Sequence, residues 1–254
     1  MIRKASAIAI AAIATAYLAL CGLLYLSQRS YLYYPVPRRA DVPAFVMHRG
    51  DADIVVSTNG VESPEAVLYF GGNAEDVSQA IPSLGRAFPG RAVYAMHYRS
   101  YGGSTGMPSE QALVADARQL LARVARSHVR IALVGRSLGS GIAIRLASSP
   151  HVERLALVTP YDSIVELAAG RFPMFPVRLL LRDKFESWRY APSVRIPTTL
   201  VLAGRDRVIP NDSSMRLASN FARDVAVVVR FADADHNDIS GFDGYAEAIA
   251  GRMP

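Results

Sequence analysis

The sequence predicts an α/β fold: a mostly parallel eight-stranded sheet flanked by helices, with a small cap, preceded by one N-terminal transmembrane helix. Three observations predict it. Residues 5–26 carry no charge, and about 22 residues at 1.5 Å each match the roughly 30 Å hydrocarbon layer of a bilayer. From residue 44 onward short β-branched runs alternate with longer helical patterns, as in βαβ units around a parallel sheet. Most of those runs are apolar throughout, the mark of strands buried on both faces.

In chain order, residues 1–30 read as a membrane anchor and 31–254 as one folded unit. A cleaved signal peptide would suit Arg3 and Lys4, but its apolar core is only about 7–15 residues long. A lipoprotein signal at Leu18-Ala19-Leu20-Cys21 fails because Leu20 is bulky and the apolar run continues past Cys21. Tyr31, Tyr33 and Tyr34 follow, where amphipathic rings favour the headgroup level. Arg3 and Lys4 on one side and Arg29, Arg38 and Arg39 on the other nearly balance. The expectation is a cytoplasmic N-terminus with the folded unit exported.

In that unit, strands are predicted at 44–48 and 53–57 as a leading antiparallel pair, then at 66–70, 92–96, 130–134, 154–159, 198–203 and 225–230. Helices are predicted at 109–126, with Ser109 as cap, and at 138–148, 213–221 and 245–249. The Pro-rich stretch 161–196 reads as the small cap.

Composition excludes several functions. With 51% hydrophobic and 20% charged residues the chain is an ordered globular protein. One cysteine makes no internal disulfide and no cysteine metal site. The net charge of +6 falls to +3 once the three cations Arg3, Lys4 and Arg29 beside the helix are set aside, and no run of five basic residues occurs. No nucleic-acid partner follows from that.

The chemistry-bearing motif is Gly135-Arg136-Ser137-Leu138-Gly139, after an apolar strand and before a helical pattern. There, a GxSxG serine sits on a strained strand-to-helix turn that exposes its hydroxyl above the sheet and aims the Leu138 amide at a developing oxyanion. A plain Gly/Ser turn is the alternative; a nucleotide loop is not, since the glycines do not fit GxGxxG and no phosphate-loop lysine follows. A serine hydroxyl needs a base and an orienting acid, here in the chain order serine, acid, histidine. Asp206 follows the strand at 198–203 and His236 the strand at 225–230; Asp162 is the alternative acid. His48, His97, His128 and His151 do not fit that order or placement. After the third strand, Gly71-Gly72-Asn73-Ala74 supplies the second oxyanion donor from the amide of Gly72 or Asn73.

These residues resemble the α/β-hydrolase superfamily, and more narrowly its membrane-anchored branch of protein depalmitoylases and monoacylglycerol-lipase-like enzymes. The apolar helix followed by Tyr33-Tyr34-Pro35 is similar to that branch's opening, and Tyr98-Arg99-Ser100-Tyr101-Gly102-Gly103-Ser104-Thr105-Gly106-Met107-Pro108-Ser109-Glu110 to its long loop after the fourth strand. The resemblance covers nearly the whole chain. It implies the α/β-hydrolase fold, a Ser137–Asp206–His236 triad, no cofactor or metal, and hydrolysis of esters or thioesters with small-molecule or lipid-like acyl substrates. One departure is Gly71, which stands where the family usually has a histidine. Phe172, Met174, Phe175, Leu179, Leu180 and Leu181 suit a lipid-like substrate, and equally the core face of the cap. A serine peptidase or other non-ester hydrolase, and a non-catalytic membrane-tethered binding protein, are the rival functions.

Overall fold

The computed structural model describes residues 2–39 and 41–252. Helix α1 (Ile2–Leu32) runs unbroken past the expected boundary at residue 30, there being no proline before Pro35 to stop it. Its stretch Arg3–Leu32 is long and apolar enough to cross a membrane.

The sheet has eight strands: β1 (Ala44–Arg49), β2 (Ala52–Thr58), β3 (Glu65–Phe70), β4 (Ala92–Met96), β5 (Arg130–Arg136), β6 (Val152–Val158), β7 (Thr198–Ala203) and β8 (Ala226–Phe231). Their spatial order is β1-β2-β4-β3-β5-β6-β7-β8. β1 and β2 are antiparallel to their neighbours, and β3 to β8 run parallel. The helices are α2 (Ile81–Ala87), α3 (Glu110–Val124), α4 (Ser140–Ala143), α5 (Ile164–Arg171), α6 (Val177–Leu180), α7 (Asn211–Ala218) and α8 (Tyr245–Ile249). α3 starts where its cap predicts, with Ser109 Oγ accepting the Ala112 N–H at 3.1 Å.

Period-two alternation divides the core into two layers. Leu68, Phe70, Ile131 and Leu133 face one side, against Leu113 and Leu120 of α3. Val67, Tyr69, Ala132 and Val134 face the other, against Ile81 and Leu84 of α2 and Ile249 of α8. Parallel strands are tolerated here because both faces are covered.

Three expectations are corrected. The run at 225–230 is not buried on both faces: β8 is the sheet edge, and Val227 and Val228 are exposed. The segment 138–148 is not one α-helix; only Ser140–Ala143 is α-helical, after a 3-10 turn at Ser137–Gly139. Beyond it Arg145 bonds back to Ile142 and Leu146 to Ala143, the tighter three-residue pattern. Tyr33 does not join a headgroup belt with Tyr31 and Tyr34, because it is buried and its hydroxyl donates to Asp183 at 3.2 Å.

His97 is structural. It is buried, with Nε2 2.9 Å from Ser57 Oγ, and a Cβ on Gly102, whose φ is +57°, would overlap its ring. Burial pushes its pKa from 6.5 down to about 4. The unfolded chain therefore takes up this proton near pH 6.5 while the folded chain resists until about 4. Stability should be flat above that window and fall by about 3 kcal/mol as pH drops through it. Urea unfolding at pH 7, 5.5 and 4.5 measures this; in His97→Gln that part of the pH dependence should vanish.

Candidate active site

At the end of β5 the chain turns sharply into α4. Ser137 has φ +48°, a left-handed backbone that a side chain tolerates only under constraint from its surroundings. Glycines make the turn possible: a Cβ on Gly135 would lie 2.6 Å from the Gly139 carbonyl oxygen and 2.7 Å from Ala143 Cβ, and one on Gly139 would overlap the Phe70 carbonyl. Ser140 Oγ donates to the Ser137 carbonyl at 2.6 Å, and the Tyr161 hydroxyl to the Leu138 carbonyl at 3.1 Å. The Leu138 N–H lies in the first turn, where helical amides lack an intrahelical acceptor.

Asp206 and His236 stand on the loops after β7 and β8, and those loops are laced together. Gly204 N–H donates to Phe231 and Arg205 N–H to Ala234, both at 2.8 Å; a Cβ on Gly204 would overlap the Ala232 carbonyl. Asp206 Oδ1 accepts the Val208 and Ile209 amides at 2.8 Å each. Its Oδ2 lies 2.8 Å from His236 Nδ1, and His236 Nε2 lies 3.1 Å from Ser137 Oγ. The His236 and Asp206 side chains are only 6% and 3% exposed, so water screens the pair little. A proton on Nδ1, shared with Asp206, leaves Nε2 to accept from Ser137. Asp235 accepts the His236 N–H at 2.7 Å, which holds its carboxyl below the usual range. Asp162, the alternative acid, is committed elsewhere: it accepts from Ser213 Oγ and Arg216 Nε, each at 2.6 Å.

The loop after β3 separates the two oxyanion candidates. Gly72 lies beside the serine, since a Cβ on it would be 3.5 Å from Ser137 Cβ, but its N–H already donates to Glu75 Oε2 at 2.6 Å. Among the described residues the Asn73 N–H donates to none, so Asn73 rather than Gly72 has an amide to offer beside Leu138. The Asn73 side chain ties the loop to α1: its Nδ2 donates to the Leu32 carbonyl at 2.7 Å, and its Oδ1 accepts from Tyr34 N–H at 3.0 Å and the Tyr101 hydroxyl at 2.6 Å. At Gly71, where the histidine is missing, a Cβ would overlap a Val77 methyl, and the Gly71 carbonyl accepts from the Tyr98 hydroxyl at 2.7 Å.

Sequence reasoning missed the pair beneath these loops. Arg136, the variable residue before the serine, donates to Glu75 Oε2 at 2.8 Å, and its Nη2 reaches the His236 carbonyl at 3.1 Å and Asn237 Oδ1 at 3.2 Å. Glu75 Oε1 accepts from the Tyr69 hydroxyl at 2.5 Å. Burial opposes the Arg136 charge, and Glu75 more than restores it. One largely buried ion pair thus joins the loops after β3, β5 and β8. The signal was slight: one charged residue inside a glycine-rich motif and another directly after a second one.

Comparison with known proteins adds the family. An uncharacterized protein of Mycobacterium tuberculosis is 32% identical over 238 residues, covering 87% of this chain and 84% of that one. Mouse alpha/beta hydrolase domain-containing protein 10 superposes with a TM-score of 0.63 at 13% identity, covering 83% and 96% of the two chains. The chain belongs to one family with that Mycobacterium tuberculosis protein and has the α/β-hydrolase fold. Protein bem46 of Schizosaccharomyces pombe is similar to it, 26% identical over 260 residues, with 90% of this chain and 86% of that protein covered. The Pyrococcus furiosus esterase Pf2001 shares the fold, with a TM-score of 0.64 and 17% identity over 86% of this chain and 97% of that one. No protein-family model matches the chain.

Proposed function

We propose that this α/β-hydrolase is a serine hydrolase of carboxylic esters or thioesters with lipid-like acyl groups. The observation that carries this reading is the hydrogen-bonded line from Asp206 Oδ2 through both ring nitrogens of His236 to Ser137 Oγ. His236 Nε2 takes the hydroxyl proton as Ser137 Oγ attacks the acyl carbonyl. The Leu138 and Asn73 amides stabilise the resulting oxyanion. Collapse breaks the bond to the alcohol or thiol, which leaves with the proton from His236. Water, deprotonated in turn by His236, attacks the acyl-enzyme, releases the acid and restores Ser137. Asp206 orients the imidazole and favours its charged form. The resemblance of the fold to an esterase supports hydrolytic chemistry. In this reading residues 1–30 anchor the enzyme, 31–254 form the catalytic unit with 161–196 as its cap, and Arg3 and Lys4 stay cytoplasmic while the catalytic unit is exported.

A fluorophosphonate probe applied to the full-length protein in detergent tests the reading. Wild type should label rapidly, Ser137→Ala not at all, and His236→Ala about 10³-fold more slowly. A folded wild type that stays unlabelled overturns it.

A further inference from the structure

We propose that the cavity between α1 and the cap binds the long alkyl chain of the acyl substrate, taken from the membrane leaflet at which α1 ends. The proposal rests on the serine-hydrolase reading and gives its acyl group a binding site. The cavity measures about 560 Å³, within the roughly 300–1,000 Å³ range of small-molecule sites. Leu24, Tyr25 and Leu32 of α1 form one wall, and Ile164, Phe172 and Leu180 of the cap another. No charged side chain lines it. The one amide in its wall, Gln28, is spent: Nε2 donates to the Tyr25 carbonyl at 2.8 Å and the Leu180 carbonyl at 3.3 Å, and Oε1 accepts the Arg182 N–H at 2.7 Å. Tyr25, Tyr31 and Tyr34 add their rings and hydroxyls, and the rest of the wall is hydrocarbon, which suits an alkyl chain.

Both ends of the cavity support an alkyl chain. Leu32 and Tyr34 line it at the end of α1, and their backbone groups are bonded to the Asn73 side chain, which ties this wall to the loop that carries the proposed oxyanion donor. At the outer end Phe175 stacks on Tyr17, with ring centroids 6.1 Å apart and planes at 4°, and the Tyr17 hydroxyl donates to the Met174 carbonyl at 2.8 Å. Tyr17 precedes Leu26 by nine residues, which sets this contact roughly 13 Å inside the apolar span. Around it Phe172, Met174 and Leu179 are 53%, 74% and 80% exposed. In water this cluster would be an exposed apolar patch; in a leaflet it lies among lipid tails. The cap residues read as its core face are thus divided between the cavity and the outside. α1 becomes a wall of the substrate site as well as an anchor.

The test measures kcat/KM of full-length protein in detergent on p-nitrophenyl esters from acetate to palmitate. Wild type should improve at least about tenfold from acetate to laurate, since each buried methylene contributes. Ala168→Trp, which fills the cavity from α5, should lower kcat/KM on laurate and palmitate about 30-fold and on acetate less than twofold. Leu24→Trp fills it from α1 and should repeat the pattern should Ala168→Trp fail to fold. A wild type that labels with fluorophosphonate yet prefers acetate overturns the proposal and leaves the serine hydrolase standing, as does a folded filled variant that keeps its long-chain activity. A wild type that neither labels nor hydrolyses any ester overturns both.

Discussion

Asp206→Asn should lower kcat on any ester that wild type turns over by about 10⁴, with the melting temperature nearly unchanged. The size of the effect comes from the tautomer, since the shape of the side chain is kept. Oδ1 of Asp206 accepts the Val208 and Ile209 amides, so the asparagine that replaces it keeps its oxygen on those donors and turns its NH₂ towards His236 Nδ1. Two donors cannot share that contact. Nδ1 must lose its proton to accept, and the proton moves to Nε2, where it faces Ser137 Oγ and blocks general-base catalysis. Asp162→Asn should do the reverse, sparing kcat while weakening the fold, because Asp162 serves Ser213 and Arg216. An active Asp206→Asn enzyme beside an inactive Asp162→Asn would reverse the assignment of the acid.

Glu75→Leu should destabilise the protein by about 3 kcal/mol and lower kcat/KM about 10²-fold. The stability loss comes from Arg136, whose side chain is only 15% exposed and would be left without a counter-charge. The activity loss comes from Gly72, whose N–H holds the loop of the proposed oxyanion donor to Glu75. The double variant Glu75→Leu/Arg136→Met separates the two. Removing both charges should return most of the melting temperature, while kcat/KM stays low because the Gly72 amide still lacks Glu75 and the His236 carbonyl has now lost Arg136. Full recovery of activity in the double variant would reduce the pair to a structural role.

Much of the frame was legible because its signals are local. Uncharged residues 5–26, fully apolar strands and a serine between glycines are patterns of neighbours, and the chain realises them as α1, β3 to β7 and a left-handed Ser137. The positions of Asp206 and His236 were readable because parallel strands deliver their C-terminal loops to one edge. Length mattered too: β8 read like an interior strand because its composition is apolar, and only its place at the edge exposes Val227 and Val228.

By itself, then, the sequence determined the fold class, the long apolar N-terminal helix and the residues at the strand ends, since each follows from periodicity or from the backbone freedom of particular residues. The tertiary structure alone decided which groups meet across distance. It gave the Gly72 amide to Glu75 and, among the described residues, no acceptor to that of Asn73, set Arg136 between loops 61 and about 100 residues away in sequence, and packed α1 on the cap. The physical reason is that hydrogen-bond and ion-pair partners are selected by sheet order and loop path, and a pair so far apart leaves no periodic trace in the chain.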